Sequence, residues 1–410
     1  MTAMIAAKLA EPIVPVAFET DVFDSFDDPR LGRAEWDDFV ADIGADLYVS
    51  YDWCRLWWKH YGRGRLRIYC FRHGNRIVGL APMFVETIWL GPLAVRVAKR
   101  VGADAASTIF ALPIAPEFAA EAYRHLIEDL ITCRRCHALS FGPLPASDPT
   151  FASLRAVCQD LAPSIAVVRD KAIGVRTVFR LPHDFNAYLK GLSAGWRQNY
   201  RRRLKLLAAK YKPESGLVQA DDAPSEFEVF LAQHRAQWEA LGKLGHFRDW
   251  PGAEAFNREL VAELSRLGRL RLHRISSEGR PLAYQYTFAF AGTCYARLPA
   301  RALDSDLHQI GIGVVGLVQL IELMIGEGVR RIELGSGHYD YKQKMGAEEE
   351  DVYSFVVASS RPGPSRRLQF FLKAADLLDL AYYRAWFLRL APKLPLLRRP
   401  LWRLWIRTRL

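Results

Sequence analysis

The sequence predicts a mixed α/β fold, built as two similar halves and closed by a basic helical tail. Three observations carry that reading. Stretches of strand period alternate with stretches of helical period throughout the body. The order strand, turn, strand, helix, strand occurs once in each half of the body. The charge is also uneven: Lys plus Arg number 56 and Asp plus Glu 45, a net +11. From Arg361 to Leu410 there are twelve basic residues and two acids, a net +10, so residues 1–360 carry only +1.

The 410 residues are 50% hydrophobic, 12% aromatic and 25% charged, which excludes wholesale disorder. At about 100–200 residues per domain the chain holds two or three domains. No run of roughly 18 uncharged apolar residues occurs, which excludes a transmembrane helix. Lys8, Glu11, Pro12 and Pro15 interrupt the first apolar stretch, so no signal peptide is read there. The expected location is the cytoplasm. A body so near neutral argues against a nucleic-acid partner, whatever the overall pI suggests.

Phe26 to Ile43 and Tyr51 to Tyr61 have helical spacing, and Trp53, Trp57 and Trp58 fall where a helix turns inward. Leu66 to Arg72 and Arg76 to Val85 read as strands around the turn His73-Gly74-Asn75. A helix from Pro116 to Thr132 leads to a strand at Ala138 to Phe141. The Cys133-Arg-Arg-Cys136-His137 spacing mimics haem attachment, but fits the end of that helix running into that strand. The turn formers of Gly142 to Pro149, a helix at Phe151 to Leu161 and a strand at Val175 to Leu181 close the first half.

The second half opens with one long basic helical region, Phe185 to Tyr211. Ser225 to Leu241 follows as a helix, with Ser225 and Glu228 spaced as a capping box. Ala253 to Arg266 is helical; strands at Arg269–Ser276, Arg280–Ala291 and Thr293–Leu298 are joined at Glu278-Gly279 and at Gly292. A helix to Gly326 and strands at Val329–Leu334 and Val352–Ala358 complete it. The boundaries drawn are 14–170, 171–360 and a tail of 361–410.

Several segments resemble one family in the right order. Val49 to Trp53 with Trp57 to Gly62, and Arg76 to Pro82, resemble the opening of the CelD-type, BioF2-like acetyltransferases. Leu192, Ser193, Arg197 and Arg201 to Leu204 resemble that family's basic helix, and Gly337 to Gly346 its closing Tyr-Lys motif. The family usually has acidic residues and proline before Tyr-Lys; here stand His338, Tyr339 and Asp340, and Met345 replaces an aromatic. The resemblance implies two tandem GNAT-like domains, related to the FemABX transferases. It implies acyl transfer from acetyl-CoA, without a metal, to an amine or hydroxyl of a cell-surface or exopolysaccharide precursor, as in cellulose biosynthesis.

Each chemical role is weighed against a plain structural one. Gln309, Gly311 and Gly313 resemble the loop that brings backbone amides to a CoA pyrophosphate at a helix N-terminus, or form an ordinary glycine turn. His338, whose imidazole titrates near neutrality, and Asp340 are the candidate base and its partner. Tyr341, Lys342 and Lys344 are candidate acceptor contacts, or parts of a solvated loop. Arg197 and Arg201 share a helix face with Lys205, suited either to a pyrophosphate or to water. Trp196 and Tyr200 read as packing residues.

The aromatic, basic tail suits an anionic membrane surface, placing the protein peripherally at the inner face, or else packs on the core. The acceptor is a sugar or amine, lipid-linked or nucleotide-linked. Two alternatives stand beside acyl-CoA transfer: a FemABX-like aminoacyl transferase, and a non-catalytic, messenger-binding component of polysaccharide assembly.

Overall fold

The computed structural model describes residues 18–104, 108–243, 245–248, 252–394 and 401–410. The Met1 to Pro15 stretch, Pro395 and Pro400 lie outside them. The first unit runs β1 (Glu19–Phe23), α1 (Arg33–Asp42), α2 (Tyr51–Tyr61), β2 (Arg65–His73), β3 (Arg76–Leu90) and β4 (Leu93–Arg100). It continues through α3 (Ala119–Ile127), β5 (Ala138–Ser140), β6 (Leu144–Pro145), α4 (Phe151–Asp160) and β7 (Ile165–Arg180). Two helices then intervene, α5 (Phe185–Gly191) and α6 (Ala194–Lys210).

The second unit repeats the order: β8 (Pro213–Leu217), α7 (Ala223–Ala240), α8 (Ala253–Arg266), β9 (Leu270–Ser277), β10 (Arg280–Phe290) and β11 (Thr293–Arg301). It ends through α9 (Ser305–Ile310), α10 (Ile312–Gly326), β12 (Arg331–Ser336), α11 (Asp340–Gln343) and β13 (Glu348–Ser359). In the tail, α12 (Pro362–Leu378) continues as a π-helical stretch, Asp379–Leu390, and α13 spans Trp402–Thr408.

Among the described residues all thirteen strands form one sheet, in the order β1-β2-β3-β4-β5-β13-β7-β12-β11-β10-β9-β8, with β6 against β13. The order is a palindrome of the two copies. Each copy is an antiparallel meander whose last strand, β4 or β11, pairs in parallel with the strand after the crossover helix, β5 or β12. Each copy's final strand is exchanged: β7 pairs with β12, and β13 pairs with β5. The two exchanged strands also pair antiparallel with each other, from Glu348/Val178 to Ser359/Ile165. The boundary region read near 165–180 is therefore β7 itself. The tandem GNAT-like mixed α/β architecture holds, fused into a single sheet.

One core packs α1, α2, α7 and α8 against the same sheet face, and there Trp53 and Trp57 are fully buried. The opposite face is covered by α3 and α4 in the first copy and by α5, α6 and α10 in the second.

Local chemistry redraws several expected elements. The long basic helix breaks at Leu192, and Ser193 caps the second piece by accepting from the Trp196 amide. The Ser225–Glu228 capping box is absent, because the helix already begins at Ala223 with Pro224 in its first turn. There Ser225 donates to the Asp222 carbonyl, and Glu228 pairs with Arg258. The glycine loop is a second short helix ended by Gly311, whose φ of +72° only glycine adopts readily.

The inner side of the tail packs. Leu368, Phe371, Leu372, Ala375 and Leu410 cover Ile88, Val95, Val97, Ala138 and Val356. Lys99 Nζ donates to the Arg407 carbonyl at 2.6 Å, and Arg407 pairs with buried Glu86 at 2.9 Å.

Candidate functional site

A cavity of about 170 Å³ lies in the second copy, between α6, α10 and α11. Trp196, Asn199, Tyr200 and Arg203 line one wall; their spacing of three and four puts them on one face of α6. Val314 from the first turn of α10 and Tyr341, Lys344 and Met345 make the rest. Trp196 and Tyr200 stack at 5.6 Å, so two residues read as packing form a cleft wall.

The basic helix points differently from the expected face. Arg197 caps α5, donating to the carbonyls of Lys190 (3.2 Å) and Leu192 (2.5 Å). Arg201 lies exposed on the outer side. The cation that reaches the cleft is Arg203, which donates to the Ile310 carbonyl in the space above Gly311. A Cβ on Gly311 would collide with that guanidinium. Burial, then Arg202, pushes the Arg203 pKa down.

The Gly311 amide is consumed, donating to the Leu307 and His308 carbonyls at 3.0 Å each. The fifteen-residue helix α10 starts at Ile312, so its orphan amides and positive pole begin there. A Cβ on Gly313 would meet nothing within 4 Å. Gln309 is exposed on the last turn of α9. The groups that could hold an anionic diphosphate here are the Ile312 and Gly313 amides and Arg203.

The two copies differ most where their parallel pairs end. The ladder stops after Lys99/Ser140 in the first copy and after Tyr295/Glu333 in the second. The next residue of the first copy is Arg100, fully buried, with its pKa pushed down to about 9 by burial. Its guanidinium donates to the carbonyls of Phe110 and Pro143 (2.9 Å to the latter) and so bridges the parting strands. The same place in the second copy holds Ala296. The first copy also fills its α4 position with ten residues burying Phe151, Leu154, Val157 and Cys158, whereas α11 has four. The second copy has neither an arginine at this register nor the longer helix.

Of the predicted loop residues, His338, Asp340 and Lys342 are not among those that line the cavity. Lys342 is buried, donates from Nζ to the Leu334 carbonyl at 3.0 Å, and is pushed down to about 8 by burial. His338 is exposed, with Nδ1 2.7 Å from Glu349 and Nε2 3.0 Å from Asp340. The Glu349 hydrogen bond, then its charge, raises the His338 pKa, so the imidazole keeps its proton further toward neutrality. Lys344 and half-exposed Tyr341 face the cleft.

Sequence reasoning missed Glu333 altogether. It is buried beside the end of the ladder, accepting from Tyr48 of the first copy at 2.8 Å and from the Gly335 amide at 2.9 Å. Burial raises its pKa, and Asp46 adds to that while Arg176 opposes it. A glutamate inside an ordinary strand stretch carries no local signal. Among the described residues no cluster of His, Cys, Asp or Glu could hold a metal ion.

Residues 194–343 match the family model described as an acetyltransferase (GNAT) domain. No curated protein sequence matches the chain. FemX shares the fold with a TM-score of 0.57 at 11% identity, over 81% of this chain and 97% of that one. A conserved protein of unknown function from Bacteroides thetaiotaomicron does so with a TM-score of 0.52 at 12% identity, over 80% and 97%. The matched segment begins at α6, whose inner face lines the cleft, and ends at α11; with this match the chain is an acyltransferase with a GNAT-like fold.

Proposed function

We propose that the chain transfers an acyl group, acetyl in the first instance, from acetyl-CoA to an amine or hydroxyl of a cell-surface or exopolysaccharide precursor, as the CelD/BioF2-like resemblance implies. The observation that carries the donor is Arg203 held over Gly311 at the N-terminus of α10, in the copy whose parallel pair is followed by Ala296 where the other has Arg100. The amides of Ile312 and Gly313 with Arg203 hold the pyrophosphate. The thioester supplies the activated acyl group.

The acceptor's nitrogen or oxygen attacks the thioester carbonyl; the C–S bond breaks as the new bond forms. The nucleophile loses a proton and the departing thiolate gains one. His338 with Asp340 carries that proton traffic, with the raised His338 pKa favouring its acid role. Lys342, Lys344 and Tyr341 contact the acceptor. A lipid-linked or nucleotide-linked acceptor would be met at the inner face of the membrane, with the protein in the cytoplasm. Aminoacyl transfer is the second reading, supported by the fold shared with FemX.

Calorimetry with acetyl-CoA tests the donor. Gly313→Val puts methyl groups into open space at the helix start and should weaken binding at least tenfold, about 1.4 kcal/mol, without lowering Tm. Arg201→Ala should bind normally. Unchanged affinity in a folded Gly313→Val protein would remove the donor from this cleft. Gly311→Val is the poorer test, since it strains a left-handed backbone and displaces Arg203.

A further inference from the structure

The tail has two unlike sides. Its inner side packs, as described. Its outer side carries Phe370, Leu377, Leu380 and Leu388, exposed by 62%, 64%, 59% and 53%. A spacing of seven puts Phe370 and Leu377 on one side of α12, and Leu380 and Leu388 continue the exposed apolar surface along its π-helical extension. Of the seventeen large apolar residues that stand exposed among the described residues, seven fall between positions 370 and 401. A monomeric soluble surface rarely gathers them so.

The charges beside the stripe are of one sign. Arg366, Arg367, Lys373, Arg389 and Lys393 are exposed there. The two acids of the tail are neutralised: Asp376 pairs with Arg169 at 2.8 Å, and Asp379 pairs with Arg384 at 2.8 Å. Among the described residues no helix is long and apolar enough to cross a membrane. An exposed apolar stripe flanked by cations, on a helix fixed to the body by its other side, matches a bilayer surface with anionic headgroups.

We propose that this outward stripe docks the protein on an anionic lipid surface, the leucines and Phe370 entering the headgroup boundary and the arginines and lysines meeting the phosphates. It makes the peripheral part of the functional reading specific to one face, and it stands whether or not the donor is acetyl-CoA.

Cosedimentation of the full chain with phosphatidylcholine vesicles, with and without phosphatidylglycerol, tests it. Binding should require the anionic lipid and be released by high salt. The variant Phe370→Ser/Leu377→Ser/Leu380→Ser/Leu388→Ser should keep its Tm and its acetyl-CoA affinity, and should partition at least about tenfold more weakly. Arg366→Glu/Lys373→Glu/Arg389→Glu should lose the lipid selectivity. Equal vesicle binding by the serine variant would overturn the proposal, as would full-length protein that ignores anionic vesicles at low salt. A dimer that the serine variant dissolves, with no vesicle binding, would assign the stripe to a second copy instead. Failure to bind acetyl-CoA with vesicle binding intact would count against the donor reading alone.

Discussion

His338 sits between two carboxylates, and that sets what it does at a given pH. Both ring nitrogens face oxygens, Glu349 at 2.7 Å and Asp340 at 3.0 Å, so the charged ring is favoured. A raised folded pKa means that this interaction is fully present below the unfolded pKa and is lost as pH rises through the folded one. Glu349→Gln should move the His338 titration down, followed by NMR of the ring protons; an unmoved titration would show that Glu349 is not the cause. Lys342 behaves oppositely. Pushed from 10.5 to about 8 by burial, it sheds its proton in the native state while the unfolded chain keeps one. The unfolded state then binds more protons, so stability should rise with pH between about 8 and about 10.5. Urea unfolding at the two ends of that window should show the rise, and Lys342→Met should abolish it.

At the scale of elements, sequence patterning found what depends on neighbours in the chain. The hairpins at Glu278-Gly279 and Ala291-Gly292 have the positive φ values their turns need, and Trp53 and Trp57 of α2 are core, with Trp58 half-buried against it. It failed where the deciding group came from far away. Which face of α6 lines the cleft is set by α10 and α11, more than a hundred residues on, so an i, i+4 count starting at Arg197 chose one residue that caps α5 and others that face solvent. The glycine pair was found, but their roles divide: Gly311 turns the chain and makes room for Arg203, and Gly313 borders open space. The contrast between Arg100 and Ala296 was invisible without the strand register. It predicts that Ala296→Arg, which places the first copy's arginine at this register, abolishes acetyl-CoA binding while the sheet stays folded. Calorimetry beside circular dichroism would check this; retained binding would show that the donor does not pass between β11 and β12.

At the scale of the molecule, the tail is part of the fold as well as an appendage. A chain ending at Ser360 would uncover Ile88, Val95, Val97 and Val356 and leave Glu86 without Arg407. Burying Leu368, Phe371 and Leu372 contributes about 1.5–3 kcal/mol each. Truncation there should lower Tm by several degrees and promote aggregation, measured by calorimetry and light scattering. An unaltered melting curve would mean that the packed side adds nothing.

The exchanged strands bear on how the protein is made. β5 lacks its outer neighbour until β13 exists, and the pairing of Val356 with Ser140 spans more than half the chain. The amino-terminal copy therefore cannot finish its sheet while its own residues leave the ribosome; it must wait for residue 359, an edge exposed throughout. Such distant pairing is slow to form. Cutting the gene between the copies would yield two fragments, each carrying a strand that belongs in the other, and they should become stable only when produced together.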